Sequence, residues 1–151
     1  MHSVFTEVHI AATPQAVWST LTDLAAYPAW NRVIRKMTGE PRKGAPWQME
    51  INSTGESYMD FDLTVTEWLP GERLTWRSGL FAPWLYTGLH DFRLSTVAGG
   101  TRLIQSETYS GLLAPVLLPF FKTRTTALFT RMNEALKAEV ERRNLLVGWH
   151  K

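Results

Sequence analysis

The sequence contains no cysteine, and that absence removes several classes of function. A chain without cysteine forms no disulfide, offers no thiolate to a metal and carries no cysteine nucleophile. Its four histidines form no H-x-H or H-E-x-x-H motif, so we expect no metal site. P-loop, G-x-S-x-G and dinucleotide glycine patterns are missing as well, and we expect no bound cofactor.

Long hydrophobic runs and strong charge of one sign are also lacking. No stretch approaches the ~20 apolar residues of a membrane span, so we expect no stable membrane insertion. Residues 1–7 have no signal-peptide character, which predicts a cytoplasmic protein. The net charge is only +2, and basic pairs such as Arg35-Lys36 are separated by acids. Nucleic-acid binding needs a contiguous basic face and is therefore not expected.

Helical spacing dominates the last third of the chain and predicts one long helix from Pro119 to Asn144. Its apolar side recurs at steps of three or four residues: Leu117, Phe121, Thr125, Leu128, Met132, Leu136 and Val140. Most charged residues, Arg124 among them, are expected on the opposite side. Such a helix is about as long as a ten-residue strand, at ~1.5 Å and ~3.3 Å per residue respectively.

The earlier part of the chain predicts one strand, two short helices and six further strands. Residues 4–10 alternate as a strand, and Thr13-Pro14 is a helix start, since threonine caps free amides and proline suits the first turn. Asp23 is expected to cap the second helix, and Tyr27-Pro28 to end it. The six later strands are predicted at 32–38, 46–52, 58–68, 73–78, 86–97 and 101–110. Short turns between them favour an antiparallel sheet.

We therefore predict an α+β fold in which a curved, seven-stranded antiparallel sheet wraps the long C-terminal helix and leaves an apolar cavity. Residues 1–144 are expected to form one domain, followed by a tail at 145–151. Alternation along the strands gives the inner face, and the helix gives its apolar side. The predicted ligand-binding residues are Trp47, Met49, Phe61, Leu63, Trp76, Phe92, Gln105, Tyr109, Phe121, Leu128 and Met132. Met59 and Ile51 share this inner phase, and Trp76 is a candidate for stacking on a planar ligand.

Two polar residues on the inner face are candidates for chemistry. His90 and Glu107 lie at similar distances from the Gly99-Gly100 turn, so an antiparallel hairpin brings them together. A carboxylate beside a histidine can act as a general acid and base. The same pair can equally be a satisfied polar contact that orients a ligand or fixes the sheet.

Two apolar segments break the alternation. They span 80–85 and 112–119, and each contains proline. Such segments either fold back on the core or line the mouth of the cavity, where a ligand, a membrane or a second copy in a homodimer would meet them.

Several motifs resemble those of a known superfamily: Ala12-Thr13-Pro14-Gln15-Ala16-Val17-Trp18, Tyr27-Pro28-Ala29-Trp30-Asn31, Leu74-Thr75-Trp76-Arg77, Gly88-Leu89-His90-Asp91-Phe92, Gly99-Gly100-Thr101-Arg102-Leu103, Ser106-Glu107-Thr108-Tyr109-Ser110-Gly111-Leu112-Leu113 and Met132-Asn133-Glu134-Ala135-Leu136-Lys137. This series is similar to the START-like, helix-grip superfamily and to its polyketide cyclase/dehydrase and lipid-transport branch. The resemblance implies a deep apolar pocket for lipids, polyketides, sterols or other hydrophobic molecules. Some members cyclise or dehydrate a bound chain, and only His90 and Glu107 match a recurring pattern of the branch.

Three functions follow as expectations. The first is binding or carriage of a hydrophobic small molecule. The second is a cyclase- or dehydratase-type enzyme that uses His90 and Glu107 as acid and base. The third is a module that contacts a membrane or a protein partner through the two apolar segments.

Overall fold

The computed structural model describes residues 2–52, 57–79 and 82–148 of the 151-residue chain. Seven strands and three α-helices occur in these ranges: β1 (His2–Ile10), α1 (Pro14–Leu21), α2 (Tyr27–Trp30), β2 (Ile34–Gly39), β3 (Pro46–Asn52), β4 (Tyr58–Leu69), β5 (Arg73–Gly79), β6 (Thr87–Val97), β7 (Gly100–Ser110) and α3 (Ala114–Gly148). A 3₁₀ turn at Leu24–Ala26 precedes α2. The predicted turn at 53–55 and the start of the predicted mouth segment at 80–81 lie outside the described residues.

The sheet is antiparallel throughout, in the order β1-β7-β6-β5-β4-β3-β2, as the short turns predicted. Register shifts occur between Ile34 and Lys36 in β2 and between Val65 and Glu67 in β4. An extra residue on one strand bends that strand and increases its twist. These irregularities therefore help the sheet to curve around α3.

The first short helix begins as predicted, and the second does not. The Thr13 hydroxyl accepts a hydrogen bond from the Ala16 amide at 3.2 Å, and Pro14 occupies the first turn of α1. Asp23 makes no side-chain capping bond, and Tyr27-Pro28 starts α2 instead of ending a helix. Tyr27 adopts helical φ and ψ despite the proline after it, because proline fits the first turn. The Tyr27 hydroxyl also donates to the Leu21 carbonyl at 2.6 Å, which fixes this corner.

Helix α3 extends beyond the predicted limits of Pro119 and Asn144 at both ends. Pro119 lies inside the helix, where it lacks the amide that would bond to the Pro115 carbonyl, at a cost of about 3 kcal/mol. Ala114 and Leu118 are both buried in the start of the helix, before Pro119, and their burial favours continuing the helix across the missing bond. At the other end, Leu145, Leu146 and Val147 are helical, so the predicted tail is not separate from α3 up to Gly148.

Helix α3 is anchored to the first strand by polar bonds as well as by its apolar side. Met132, Leu136 and Val140 are buried at steps of four residues, as the helical spacing predicted. The Asn133 amide donates to the Thr6 hydroxyl at 2.9 Å, and Lys137 Nζ donates to the His9 carbonyl at 2.6 Å. The C-terminal half of α3 is thus fixed on the sheet, and the cavity lies along its N-terminal half.

Candidate functional site

A cavity of about 340 Å³ separates the inner face of the sheet from the N-terminal half of α3. Its lining is mainly apolar and aromatic, with a polar side at β6 and β7. The strands and the residue just before β6 contribute Ile34, Met49, Ile51, Met59, Phe61, Trp76, Ser78, Gly79, Tyr86, His90, Glu107 and Tyr109. Helix α3 contributes Phe121, Arg124, Thr125, Leu128, Phe129 and Met132. The predicted space between sheet and helix is therefore present.

Most of the predicted site residues line this cavity: Met49, Phe61, Trp76, His90, Glu107, Tyr109, Phe121, Leu128 and Met132. Four others, Trp47, Leu63, Phe92 and Gln105, are buried but do not line it. Alternation along a strand sets the face on which a side chain lies, whereas packing by neighbours decides whether it reaches the cavity. These four residues are therefore corrected from lining to core.

Contacts between aromatic rings explain why two of these residues, Trp47 and Phe92, lie behind the cavity. Trp47 packs against Trp76 at 5.9 Å and donates its indole N–H to the Glu40 carbonyl at 2.7 Å. Phe92 packs against Trp76 at 5.2 Å and against His90 at 4.7 Å. Trp76 and the His90 ring are stacked, with centroids 4.8 Å apart and an interplanar angle of 16°. One face of Trp76 is thus taken by His90, which limits the predicted stacking on a ligand.

His90 and Glu107 are directly opposite each other on β6 and β7, as their offsets from the glycine turn predicted. His90 Nδ1 lies 3.6 Å from Glu107 Oε2, and both side chains are largely buried. The amide nitrogen of Gln105 lies 3.0 Å from His90 Nε2. With the amide donating there, the neutral ring carries its proton on Nδ1, facing the Glu107 carboxylate. Gln105 thus contacts His90 from the packed side of the sheet, outside the cavity, and orients its ring.

Two tyrosines complete the polar side of the cavity. The Tyr109 hydroxyl donates to Glu107 Oε2 at 3.1 Å, and the rings of Tyr86 and Tyr109 are stacked at 5.7 Å. Burial, reinforced by the negative charge of Glu107, raises the pKa of Tyr86 to about 12. The same two causes, in the same order, raise the pKa of Tyr109 well above its ordinary value. Both hydroxyls therefore remain protonated donors at neutral pH.

Gly88 provides the space that the Glu107 carboxylate occupies. A Cβ atom built on Gly88 would lie only 2.4 Å from Glu107 Oε1. Gly88 has the same inward phase as His90 and pairs with Tyr109 across the two strands. Any side chain at this position would therefore displace the carboxylate from its place beside His90 and Tyr109.

Several lining residues were not among the predicted site residues: Ile34, Ile51, Met59, Ser78, Gly79, Tyr86, Arg124, Thr125 and Phe129. Strand alternation had placed Ile51 and Met59 on the inner face, so a signal for them existed. Arg124 corrects a prediction, because it was expected on the outer side of the helix. It lies three residues after Phe121 and four before Leu128, and such spacing brings it to the flank of the same face. Phe129 packs edge-on against His90 at 4.8 Å.

Neither a metal cluster nor a membrane-spanning helix occurs in the described ranges. Within residues 2–52, 57–79 and 82–148, no three His, Asp or Glu side chains are grouped so as to hold a metal ion. No helix in that part of the chain has the length and apolarity to cross a membrane.

These features define an α+β helix-grip protein whose sheet and C-terminal helix enclose an apolar cavity with a His-Glu-Tyr polar side. The chain belongs to the polyketide cyclase / dehydrase and lipid transport family, whose family model matches residues 1–141. A search of curated protein sequences found no match to this chain.

Solved structures share the fold at low sequence identity. The aromatase/cyclase ZhuI from Streptomyces sp. R1128 is 18% identical with a TM-score of 0.75, over 93% of this chain and 94% of that one. The protein TTHA0849 from Thermus thermophilus is 16% identical with a TM-score of 0.74, over 93% of this chain and 98% of that one. The di-domain aromatase/cyclase StfQ of the steffimycin biosynthetic pathway is 13% identical with a TM-score of 0.76. That alignment covers 95% of this chain and 51% of StfQ, so the chain spans about half of the di-domain protein.

Proposed function

We propose that this protein binds or carries a hydrophobic small molecule in the cavity between the sheet and α3. The cavity itself is the observation that carries the proposal. Its volume of about 340 Å³ falls at the lower end of the ~300–1,000 Å³ usual for small-molecule sites. Burial of apolar ligand surface, at about 25 cal/mol per Å², would supply most of the affinity. This size favours an aromatic ring system, a folded polyketide or a single short acyl chain.

The polar side of the cavity narrows the chemistry of the ligand further. Glu107 presents a carboxylate, and hydroxyls of Ser78 and Thr125 border the same cavity. A buried carboxylate favours a partner that donates a hydrogen bond and disfavours another carboxylate. The ligand is therefore expected to be apolar over most of its surface, with a hydroxyl or a similar donor at the end that meets Glu107.

A thermal-shift screen against single-chain lipids, phenols and fused aromatic ketones tests this proposal. A ligand present at 100 times its Kd stabilises the folded state by about 2.7 kcal/mol. Leu128→Trp should fill part of the cavity and abolish the shift. The matched control is Leu145→Trp, on the same helix but exposed and outside the cavity. The proposal is wrong if no compound stabilises the wild type, or if Leu128→Trp responds as well as the control.

A second candidate function is a cyclase- or dehydratase-type enzyme, favoured by the direct pairing of His90 with Glu107 on the cavity wall. A dehydration requires one group to take a proton from carbon and another to protonate the leaving hydroxyl. His90 and Glu107 are the side chains in this cavity best suited to share those tasks, and Tyr109 would hold Glu107 in place. The apolar wall would fold a flexible substrate into a reactive shape.

Near-isosteric variants distinguish an enzyme from a protein that only binds its ligand. Glu107→Gln and His90→Gln should each lower turnover of a β-hydroxy ketone or poly-β-ketone by about 10²-fold or more, with the dissociation constant changed much less. Absorbance of the conjugated product would report turnover. Equal turnover by the wild type and both variants would contradict the enzymatic proposal and leave ligand binding as the proposed function.

A further inference from the structure

The His90 ring is enclosed by protein groups although it borders the cavity. Its Nδ1 atom lies 3.6 Å from Glu107 Oε2, and its Nε2 atom lies 3.0 Å from the amide nitrogen of Gln105. Trp76 stacks on one face of the ring and Phe129 packs edge-on, each at a centroid distance of 4.8 Å. Both ring nitrogens are therefore occupied, and His90 acts on a bound ligand through Glu107.

The two oxygens of the Glu107 carboxylate differ in what they contact. Oε2 accepts a hydrogen bond from the Tyr109 hydroxyl at 3.1 Å and also faces His90. Within the described part of the chain, no protein group donates a hydrogen bond to Oε1. The polar side-chain atoms that are buried there without a partner belong to Trp30, Asn31, Gln105 and Asn133. Glu107 Oε1 is not one of these atoms, so it is reachable from the cavity that Glu107 lines.

The free oxygen of Glu107 lies over Gly88 and close to the hydroxyl of Ser78. A Cβ atom built on Gly88 would lie 2.4 Å from Glu107 Oε1 and 3.4 Å from Ser78 Oγ, so both oxygens border the same position. Ser78 pairs with Gly88 across β5 and β6, and it lines the same cavity. Among residues 2–52, 57–79 and 82–148, no group is hydrogen-bonded to the Ser78 hydroxyl. We name the space between Glu107 Oε1, Ser78 Oγ and Gly88 the Gly88 niche.

We infer that the Gly88 niche is the subsite for one neutral hydroxyl group of the ligand. That hydroxyl donates to Glu107 Oε1 and accepts from the Ser78 hydroxyl, which matches the one donor and two acceptor positions of an O–H group. Ser78 and Gly88 are then specificity-determining residues, the first as a donor and the second by leaving room. The inference rests on the binding function proposed above and adds the atoms that select the polar end of the ligand.

Other polar ends fit the Gly88 niche less well than a hydroxyl. A methyl group or an ether oxygen has no proton to donate, so Glu107 Oε1 would lose its contact with water and gain no partner. A carboxylate on the ligand would place a second negative charge beside Glu107. An ammonium group has no lone pair to accept the Ser78 proton, and it must also lose its water on entering an apolar cavity.

Equilibrium dialysis of the full chain at neutral pH, with naphthalenes that differ in one substituent, tests this inference. 2-Naphthol should bind about ten-fold or more tightly than 2-methylnaphthalene, because only the hydroxyl bonds to the Glu107 carboxylate. 2-Naphthoate should bind more weakly than both, because its charge repels that carboxylate. Ser78→Ala should weaken the binding of 2-naphthol about five-fold, the effect of one neutral hydrogen bond, and should not weaken the binding of 2-methylnaphthalene.

Ser95→Ala is the matched control, because Ser95 is an exposed serine of β6 that does not line the cavity. It should bind both compounds as the wild type does, and both variants should keep the wild-type melting temperature. Equal affinity of the wild type for 2-naphthol and 2-methylnaphthalene, or equal weakening of both compounds by Ser78→Ala, would overturn the inference while leaving the binding function intact.

Two further outcomes are informative. Tighter binding of 2-naphthylmethylamine than of 2-naphthol would overturn the inference by assigning the Gly88 niche to a cation. Failure of all four compounds to bind the wild type would overturn the proposed binding function together with this subsite, so the two failures are distinguishable.

Discussion

Replacing Gly88 with alanine tests whether an absent side chain keeps the Glu107 carboxylate in place. The new Cβ would lie 2.4 Å from Glu107 Oε1, while ordinary contact begins near 3.4 Å, so the carboxylate must move by about 1.0 Å (3.4 − 2.4). Such a shift disrupts the 3.1 Å bond from Tyr109. Hydrogen bonds to charged groups contribute about 1.5–3 kcal/mol, and the Glu107 side chain, although largely buried, keeps 14% of its surface exposed. We expect a loss of about 1–2 kcal/mol in the free energy of unfolding.

A double-mutant cycle isolates this cause. Glu107→Ala removes the carboxylate, so Gly88→Ala in that background should cost almost nothing. The coupling free energy between the two sites, measured by urea denaturation, should therefore be about 1–2 kcal/mol. Gly79→Ala is the control, because its nearest neighbour is the Tyr86 carbonyl at 3.3 Å and not Glu107. Additive effects of Gly88→Ala and Glu107→Ala, within about 0.3–0.5 kcal/mol, would refute the reasoning.

Three further predictions concern stability and titration. Hydrogen bonds from Arg142 and Arg143 hold the pKa of Glu139 at about 2, below the ordinary 4.5. The ionised Glu139 carboxylate contributes its full stabilisation above pH about 4.5, and this contribution is lost as the pH falls toward 2. Glu139→Gln should therefore flatten the pH dependence of the free energy of unfolding between these values. An unchanged slope would contradict this prediction. Leu136→Ala should lower the free energy of unfolding, measured by urea denaturation, by about 2–5 kcal/mol, because Leu136 is buried against the sheet. A decrease of less than about 1 kcal/mol would contradict that packing. Because the pKa of Tyr86 is about 12, Tyr86→Phe should leave the tyrosinate absorbance of the folded protein unchanged below about pH 11.

The pairing of β6 with β7 is the part of the site that the sequence predicted. The Gly99-Gly100 turn fixes the register of β6 and β7, and register fixes which residues face each other. His90 and Glu107 were therefore placed together from their offsets alone. The roles proposed for them remain predictions, since position on a wall does not establish chemistry.

The start of α3 and the position of Arg124 were not predicted correctly from the sequence. The apolar period of the helix predicted the buried positions from Met132 to Val140, but proline was taken to mark its start. The local rule that a proline begins a helix failed at Pro119, because the burial of Ala114 and Leu118 before it favours an earlier start. Arg124 was misplaced for a related reason, because a long side chain at the edge of an apolar face can reach either side.

The sequence by itself determined the architecture, since the periods of two and 3.6 residues, the turns and the helix caps are local properties that each segment carries alone. It also determined which side chains of the strands face inward. The tertiary structure decided how deep each of them lies: Trp47, Leu63, Phe92 and Gln105 form the packed layer, while Met49, Phe61 and Tyr109 line open space. That difference depends on how far the curved sheet stands from α3, a distance set by packing between segments remote in the chain, which no local pattern encodes.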